Sequence, residues 1–255
     1  MNLPIGVMLG GTDLDTNLAQ AAGIGSEIVQ IWCTKGELAP ESFTLATAKK
    51  IANRCDRVGL EISALCGDTG MGFVDPDKTP KAIELTEGFF KVCRDLGVNV
   101  LSSHIGHLPE DPAGVDKVVD NLKRLGDIAD RYSVTFASET GLESGPGLRD
   151  LLDRVGNPRI AVNFDPANLT MRNIDVEEAV RLMAPYIVHT HGKDGLAGGG
   201  ETPIGAGDVD FPAYFGWLNK AGYTGAIAIE REGGDQWWTD CQQGIALLKK
   251  WRDNG

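Results

Sequence analysis

Eight short, β-rich apolar runs recur along this 255-residue chain, with amphipathic stretches between them. They are IGVML (5–9), EIVQIW (27–32), LEISAL (60–65), VNVLSS (98–103), VTFASE (134–139), IAVNFD (160–165), YIVHTH (186–191) and AIAIE (226–230). Their hydrophobicity is continuous rather than alternating, which suits strands covered on both faces, as in parallel sheets. The intervening stretches, such as SFTLATAKKIANRCDRVG and GVDKVVDNLKRLGDIADRY, carry helical periodicity. Several end in glycine just before the next run, at Leu96-Gly97, Val155-Gly156 and Ala221-Gly222. Glycine there takes the left-handed conformation that stops a helix.

Eight strand-then-helix units in about 250 residues predict a (β/α)8 TIM barrel, an α/β fold, with residues 1–255 forming a single domain. A doubly wound open sheet is the structural alternative. Its usual GxGxxG turn after the first strand is missing, since that segment reads MLGGTDLDTN. No linker or charge block divides the chain, and GLAGGGETPIGAGD (195–208) reads as a glycine-rich loop.

Charge narrows the partners. With 24 Lys and Arg against 36 Asp and Glu, the formal net charge is −12. That field repels a phosphate backbone and an anionic bilayer, so neither nucleic acid nor a membrane surface is an expected partner. No apolar run approaches the 18 or so residues of a spanning helix, and the opening MNLPIGVMLGG does not read as a signal peptide. The five cysteines at 33, 55, 66, 93 and 241 form no CxxC pair, so they read as buried small apolar residues in a reduced, cytoplasmic setting.

In a barrel of this type the active site lies where strands end and βα loops begin. The fifth to eighth runs end at Glu139, Asp165, His191 and Glu230. Neighbouring strands lie about 4.8 Å apart, so one divalent ion could touch all four side chains. Three carboxylates converging without a cation would repel strongly. Three oxygen donors and one imidazole suit Mn2+ best, with Mg2+, Co2+ or Zn2+ as alternatives. His189 alternates with His191 and so faces the same side of its strand, where it reads as a core histidine.

With those residues in place, the chain resembles the xylose-isomerase-like barrel family, the sugar isomerases and epimerases related to ketose 3-epimerases. The matching pieces are ALCGDTG (64–70), SSHIGHLPED (102–111), SETGLE (138–143), NFDPANL (163–169), HTHGKDG (189–195), PIGAGDVDF (203–211) and GYTGAIAIERE (222–232). The resemblance implies that Glu139, Asp165, His191 and Glu230 hold the metal. It also implies that Glu139 and Glu230 serve as acid and base. Two positions depart from the ketose 3-epimerases: Asn168 stands where they usually carry His, and Ala197 where they carry Arg. A simple free-ketose 3-epimerase is therefore less expected than another member of the family.

The chemistry expected of such a site is proton abstraction beside a carbonyl, with Lewis-acid stabilisation of an enediolate. Return of the proton on the opposite face gives an epimer, and return to the adjacent carbon gives an aldose–ketose isomer. Further candidates for substrate contacts are His104 at the end of the fourth run, Trp32 at the end of the second, Glu143, Asn168 and Lys193. Lys193 has two other readings, neutralising the site or pairing with Asp194. Trp237-Trp238 belongs either to the pocket wall or to a subunit contact. The expected partners are a small-molecule sugar and further copies of the chain, in a dimer or tetramer. A metal-dependent sugar dehydratase or lyase and a non-catalytic sugar-binding barrel are the rival readings.

Overall fold

A computed structural model describes residues 3–141 and 145–254. Eight strands form in the apolar runs: β1 (Ile5–Leu9), β2 (Ile28–Trp32), β3 (Glu61–Cys66), β4 (Val100–Ser103), β5 (Thr135–Glu139), β6 (Ile160–Phe164), β7 (Ile187–Gly192) and β8 (Ile227–Ile229). They pair in chain order and close into a barrel, with β8 returning to β1 through Ile5 opposite Ile227 and Val7 opposite Ile229. Every neighbouring pair is parallel. The fold is the (β/α)8 TIM barrel expected from the repeat, and the doubly wound alternative does not occur.

The helices are α1 (Leu14–Gly23), α2 (Leu45–Val58), α3 (Thr79–Leu96), α4 (Pro112–Tyr132), α5 (Pro146–Val155), α6 (Pro166–Thr170), α7 (Val176–Met183), α8 (Phe211–Lys220) and α9 (Trp237–Asn254). Their apolar stripes face the barrel. In α4, Val118, Val119, Leu122, Leu125, Ile128 and Ala129 are buried, the spacing of one helical face. The Asp111 side chain caps its first turn by accepting from Gly114 N at 2.7 Å. As expected, Gly97 and Gly156 end α3 and α5 in the left-handed region, at φ 75° and 61°. The core continues outside the sheet, where Phe73 meets Phe136 edge to face at 5.3 Å. All five cysteines are buried and unpaired, and among the described residues no helix is long and apolar enough to cross a membrane.

Two irregularities shape the mouth of the barrel. The strand register slips between Val29 and Gln30 on β2, and between Val162 and Asn163 on β6. Such bulges redirect side chains and gather near active sites. The second irregularity is the long β7–α8 loop, in which Asp194–Gly195 pairs with Glu201–Thr202 as a small antiparallel ribbon. The buried Asp194 carboxylate organises this loop. Its Oδ1 accepts from Gly195 N and Val209 N, and its Oδ2 from Gly205 N and Gly207 N, all between 2.8 and 3.2 Å. A Cβ at Gly207 would lie 2.2 Å from Asp194 Oδ1, so only glycine lets the backbone approach that closely.

Asp194→Ala leaves four backbone N–H groups without their acceptor. It is expected to lower the unfolding free energy by about 3 kcal/mol. Urea unfolding of the two proteins measures the difference, and a loss under about 1 kcal/mol would show that the loop holds itself by other contacts.

Candidate metal centre

Four side chains from four consecutive strands converge at the C-terminal mouth. Glu139 is the last residue of β5, Asp165 directly follows β6, His191 lies one residue before the end of β7, and Glu230 directly follows β8. Each offers one ligand atom, and these atoms all lie within 4.8 Å of one another. His191 Nδ1 sits at the centre, 3.4 Å from Asp165 Oδ2, 3.4 Å from Glu230 Oε2 and 3.6 Å from Glu139 Oε1. The imidazole is completely buried.

Backbone geometry selects which oxygen of Asp165 is available. Its Oδ1 caps the single turn of α6, accepting from Ala167 N and Asn168 N at 2.9 Å each. Asp165 Oδ2 and His191 Nδ1 are both buried and have no hydrogen-bond partner. Two adjacent orphaned buried atoms of this kind call for an explanation, and a shared cation is the simplest one. At an effective dielectric of about 20, each pair of carboxylates at this spacing repels by at least about 3 kcal/mol. With Glu232, which shares the Lys193 ammonium, four carboxylates and one ammonium leave a formal −4 + 1 = −3 around a neutral His191, most of which one dication would offset. The donor set of three carboxylates and one imidazole fits a hard divalent ion such as Mn2+ or Mg2+.

The electrostatics show the same strain. Burial alone would keep His191 neutral, yet the charges of Glu139 and Glu230 raise its pKa well above the ordinary histidine value. Burial, and then the Glu230 charge, push the Glu139 carboxyl upward. Glu230 moves the other way despite its burial, because His191 and Lys193 both face it.

Lys193, almost wholly buried, is drawn into this centre. Its Nζ lies 2.9 Å from Glu230 Oε2 and 3.8 Å from Asp165 Oδ2, donates to Asn168 Oδ1 at 3.2 Å and also donates to Glu232. Burial would lower its pKa, but the charges of Asp165 and Glu230 raise it well past the usual lysine value. This placement sets the ammonium against the carboxylates of the centre, whereas the Asp194 carboxylate is occupied by backbone N–H groups. Asn168 bridges the other side, donating from Nδ2 to Glu139 Oε1 at 3.0 Å and to Thr140 O at 3.1 Å. His104 Nδ1 pairs with Asp68 Oδ2 at 2.6 Å, and its Nε2 lies 4.0 Å from Glu139 Oε1.

Above the centre opens a cavity of about 540 Å3, lined among others by Trp32, His104, Glu139, Asn168, Arg172 and Glu230. An adjoining cavity of about 360 Å3 shares Trp32, Glu230 and Glu232 and adds Trp237, whose indole N–H donates to Arg231 O at 2.7 Å. Trp237 therefore stands on the pocket side, with Trp238 packed against it edge to face. Glu143 lies outside the described residues. Four residues of the site escape a reading of strand ends: Gln30, Asp68, Arg172 and Glu232. Asp68 lies within the piece ALCGDTG and Glu232 follows Glu230 by two, with nothing in either residue type to single it out. No sequence signal marks Gln30 or Arg172.

The fold is a (β/α)8 barrel whose mouth carries a group of side chains able to hold a metal ion. The family model of the xylose isomerase-like TIM barrel matches residues 18–251, and the chain belongs to that family. An L-ribulose 3-epimerase of Mesorhizobium japonicum is 25% identical over 237 residues, covering 86% of this chain and 75% of that one. Among solved structures, a xylose isomerase domain protein from Planctomyces limnophilus superposes with a TM-score of 0.85 at 24% identity, covering 99% of this chain and 98% of its own. A xylose isomerase-like TIM barrel protein from Mycobacterium smegmatis, in complex with magnesium, superposes with a TM-score of 0.79 at 16% identity, covering 99% and 97%. At these identities the structural likenesses speak for the fold.

If the four side chains hold one ion, His191→Ala and Asp165→Ala will reduce Mn2+ affinity far more than Asn168→Ala. Asn168 supplies no ligand atom to the cluster and acts through Glu139 and Lys193, so its loss is expected to stay within about 10- to 100-fold. Isothermal titration of the metal-stripped proteins ranks them, and equal losses in all three would show that the ligand set is wrong.

Proposed function

We propose that this chain is a divalent-metal-dependent sugar epimerase or isomerase that moves a proton on a carbon beside a carbonyl. The observation that carries the reading is the pair Glu139 and Glu230. They flank His191 from β5 and β8, border the same cavity, and have ligand atoms in one cluster. When bound, the ion supplies Lewis-acid polarisation of the substrate carbonyl and offsets the charge of the enediolate.

The protein's own groups divide the remaining work. One glutamate takes the proton from the C–H next to the carbonyl, and the electron pair moves into the enediolate. The other glutamate returns a proton from the opposite face, which inverts that carbon. Asn168 and Lys193 hold these two carboxylates in place from either side. With Nδ1–H donated to Asp68, His104 keeps Nε2 as an acceptor near Glu139, suited to a substrate hydroxyl. Trp32 offers an aromatic wall against which a sugar face can stack. The related L-ribulose 3-epimerase supports a small ketose or ketose derivative as the substrate.

Glu139→Gln and Glu230→Gln each keep a neutral oxygen donor but remove a base. Turnover on a sugar panel with Mn2+ is expected to fall by about 100-fold or more in each. In D2O, each variant is expected to retain C–H exchange with only one of the two epimers, and the two variants to favour opposite ones. Exchange of both epimers at the wild-type rate in both variants would remove these residues from the proton transfer. Net loss of water from the substrate would turn the assignment to a dehydratase.

A further inference from the structure

Beneath the metal centre the barrel interior is polar, where bulky branched aliphatic side chains usually fill such barrels. Gln30, Ser102, Asn163, His189 and His191 are all buried there, at 1% exposure or less. Their hydrogen bonds form one chain across the barrel. Gln30 Oε1 lies 2.9 Å from His191 Nε2, and Gln30 Nε2 donates to Ser102 Oγ at 2.7 Å. Asn163 Nδ2 lies 3.0 Å from the same His191 nitrogen, and Asn163 Oδ1 is 3.0 Å from His189 Nδ1. His189 Nε2 ends the chain at Ser63 Oγ, 3.1 Å away. Both amides stand where the strand register slips, at Val29/Gln30 and Val162/Asn163.

On this basis we infer that Gln30 is a positioning residue for the metal centre: it holds His191 in the tautomer that turns the Nδ1 lone pair toward the ligand cluster. The inference rests on the metal-centre reading given above. Ser102 Oγ donates to Leu65 O, 3.5 Å away, so its oxygen is left to accept from the Gln30 amide NH2. That orients Gln30 with Oε1 on His191, where it accepts the Nε2 proton. An imidazole protonated at Nε2 has its free lone pair on Nδ1, the atom that meets Asp165, Glu139 and Glu230. The Asn163 amide is placed with Nδ2 toward His191 and Oδ1 toward His189 Nδ1; it must rotate to present Oδ1 once His191 Nε2 carries the proton, and His189 and Ser63 can reverse their bonds with it, so Asn163 follows the tautomer that Gln30 sets. Buried polar groups in such a chain are satisfied only in a consistent order, so an acceptor lost at Gln30 leaves the tautomer undetermined.

The test measures Mn2+ binding by calorimetry to metal-stripped wild type, Gln30→Leu and Gln30→Glu, with circular dichroism confirming each fold. Gln30→Leu removes the acceptor and is expected to bind about 10- to 100-fold more weakly. Gln30→Glu keeps an acceptor on Nε2–H and is expected to bind more tightly than Gln30→Leu. Independently of any variant, nitrogen-15 NMR of the magnesium-loaded wild type should show His191 protonated at Nε2. A folded Gln30→Leu that binds Mn2+ as tightly as wild type overturns the assignment, as does a loaded His191 protonated at Nδ1. Absence of Mn2+ binding by the wild type overturns instead the metal-centre reading on which the inference rests.

Discussion

Three carboxylates converge on one buried imidazole at the mouth of this barrel, and the surrounding structure is arranged to make that tolerable. Ligand atoms within 4.8 Å of one another, on residues nearly closed to water, face a repulsion that solvent does not screen. A buried ammonium from Lys193 answers part of it, and a dication would offset most of the negative charge that remains. The arrangement suits a cation shared among side chains of four strands, and the same crowding of charge raises the pKa of His191 and Glu139 and lowers that of Glu230.

The order of the surrounding hydrogen bonds follows from that constraint. Each ligand-capable side chain is also held by a neighbouring group of the protein. Asp165 spends one oxygen on the first turn of α6. Glu139 is braced by Asn168, Glu230 by Lys193, and His191 by Gln30. Preorganised side chains of this kind keep their geometry when charge moves, which is what proton transfer beside a carbonyl requires. The loop beyond β7 is held with similar economy, because one buried carboxylate, Asp194, gathers four backbone N–H groups and brings Gly199 to the cavity wall.

Much of this was legible in the chain itself. The eight apolar runs match the eight strands to within about two residues at each end, because strands covered by helices on one face and packed inside on the other need continuous hydrophobicity. Ligand-capable residues at four consecutive strand ends were visible for the same reason: the fold dictates that strand ends meet at one rim. Glu232, Asp68 and Gln30 were not. Glu232 looks like one more surface acid, Asp68 like a turn residue in a glycine-rich segment, and Gln30 like a polar interruption of an apolar strand.

Local sequence therefore determined the barrel, the strand that delivers each ligand and the acidic character of its mouth, since these depend on periodicity and on residue type at a strand end. Only the tertiary structure decided which atoms meet. Gln30 and His191 are 161 residues apart, and their contact depends on the stagger of β2 against β3 and of β6 against β7, where both registers slip. Lys193 was open to three roles in the sequence, and its direction was set by where Glu230 and Glu232 emerge after β8. Strand stagger is a property of the closed sheet as a whole, so no single segment of the chain carries it.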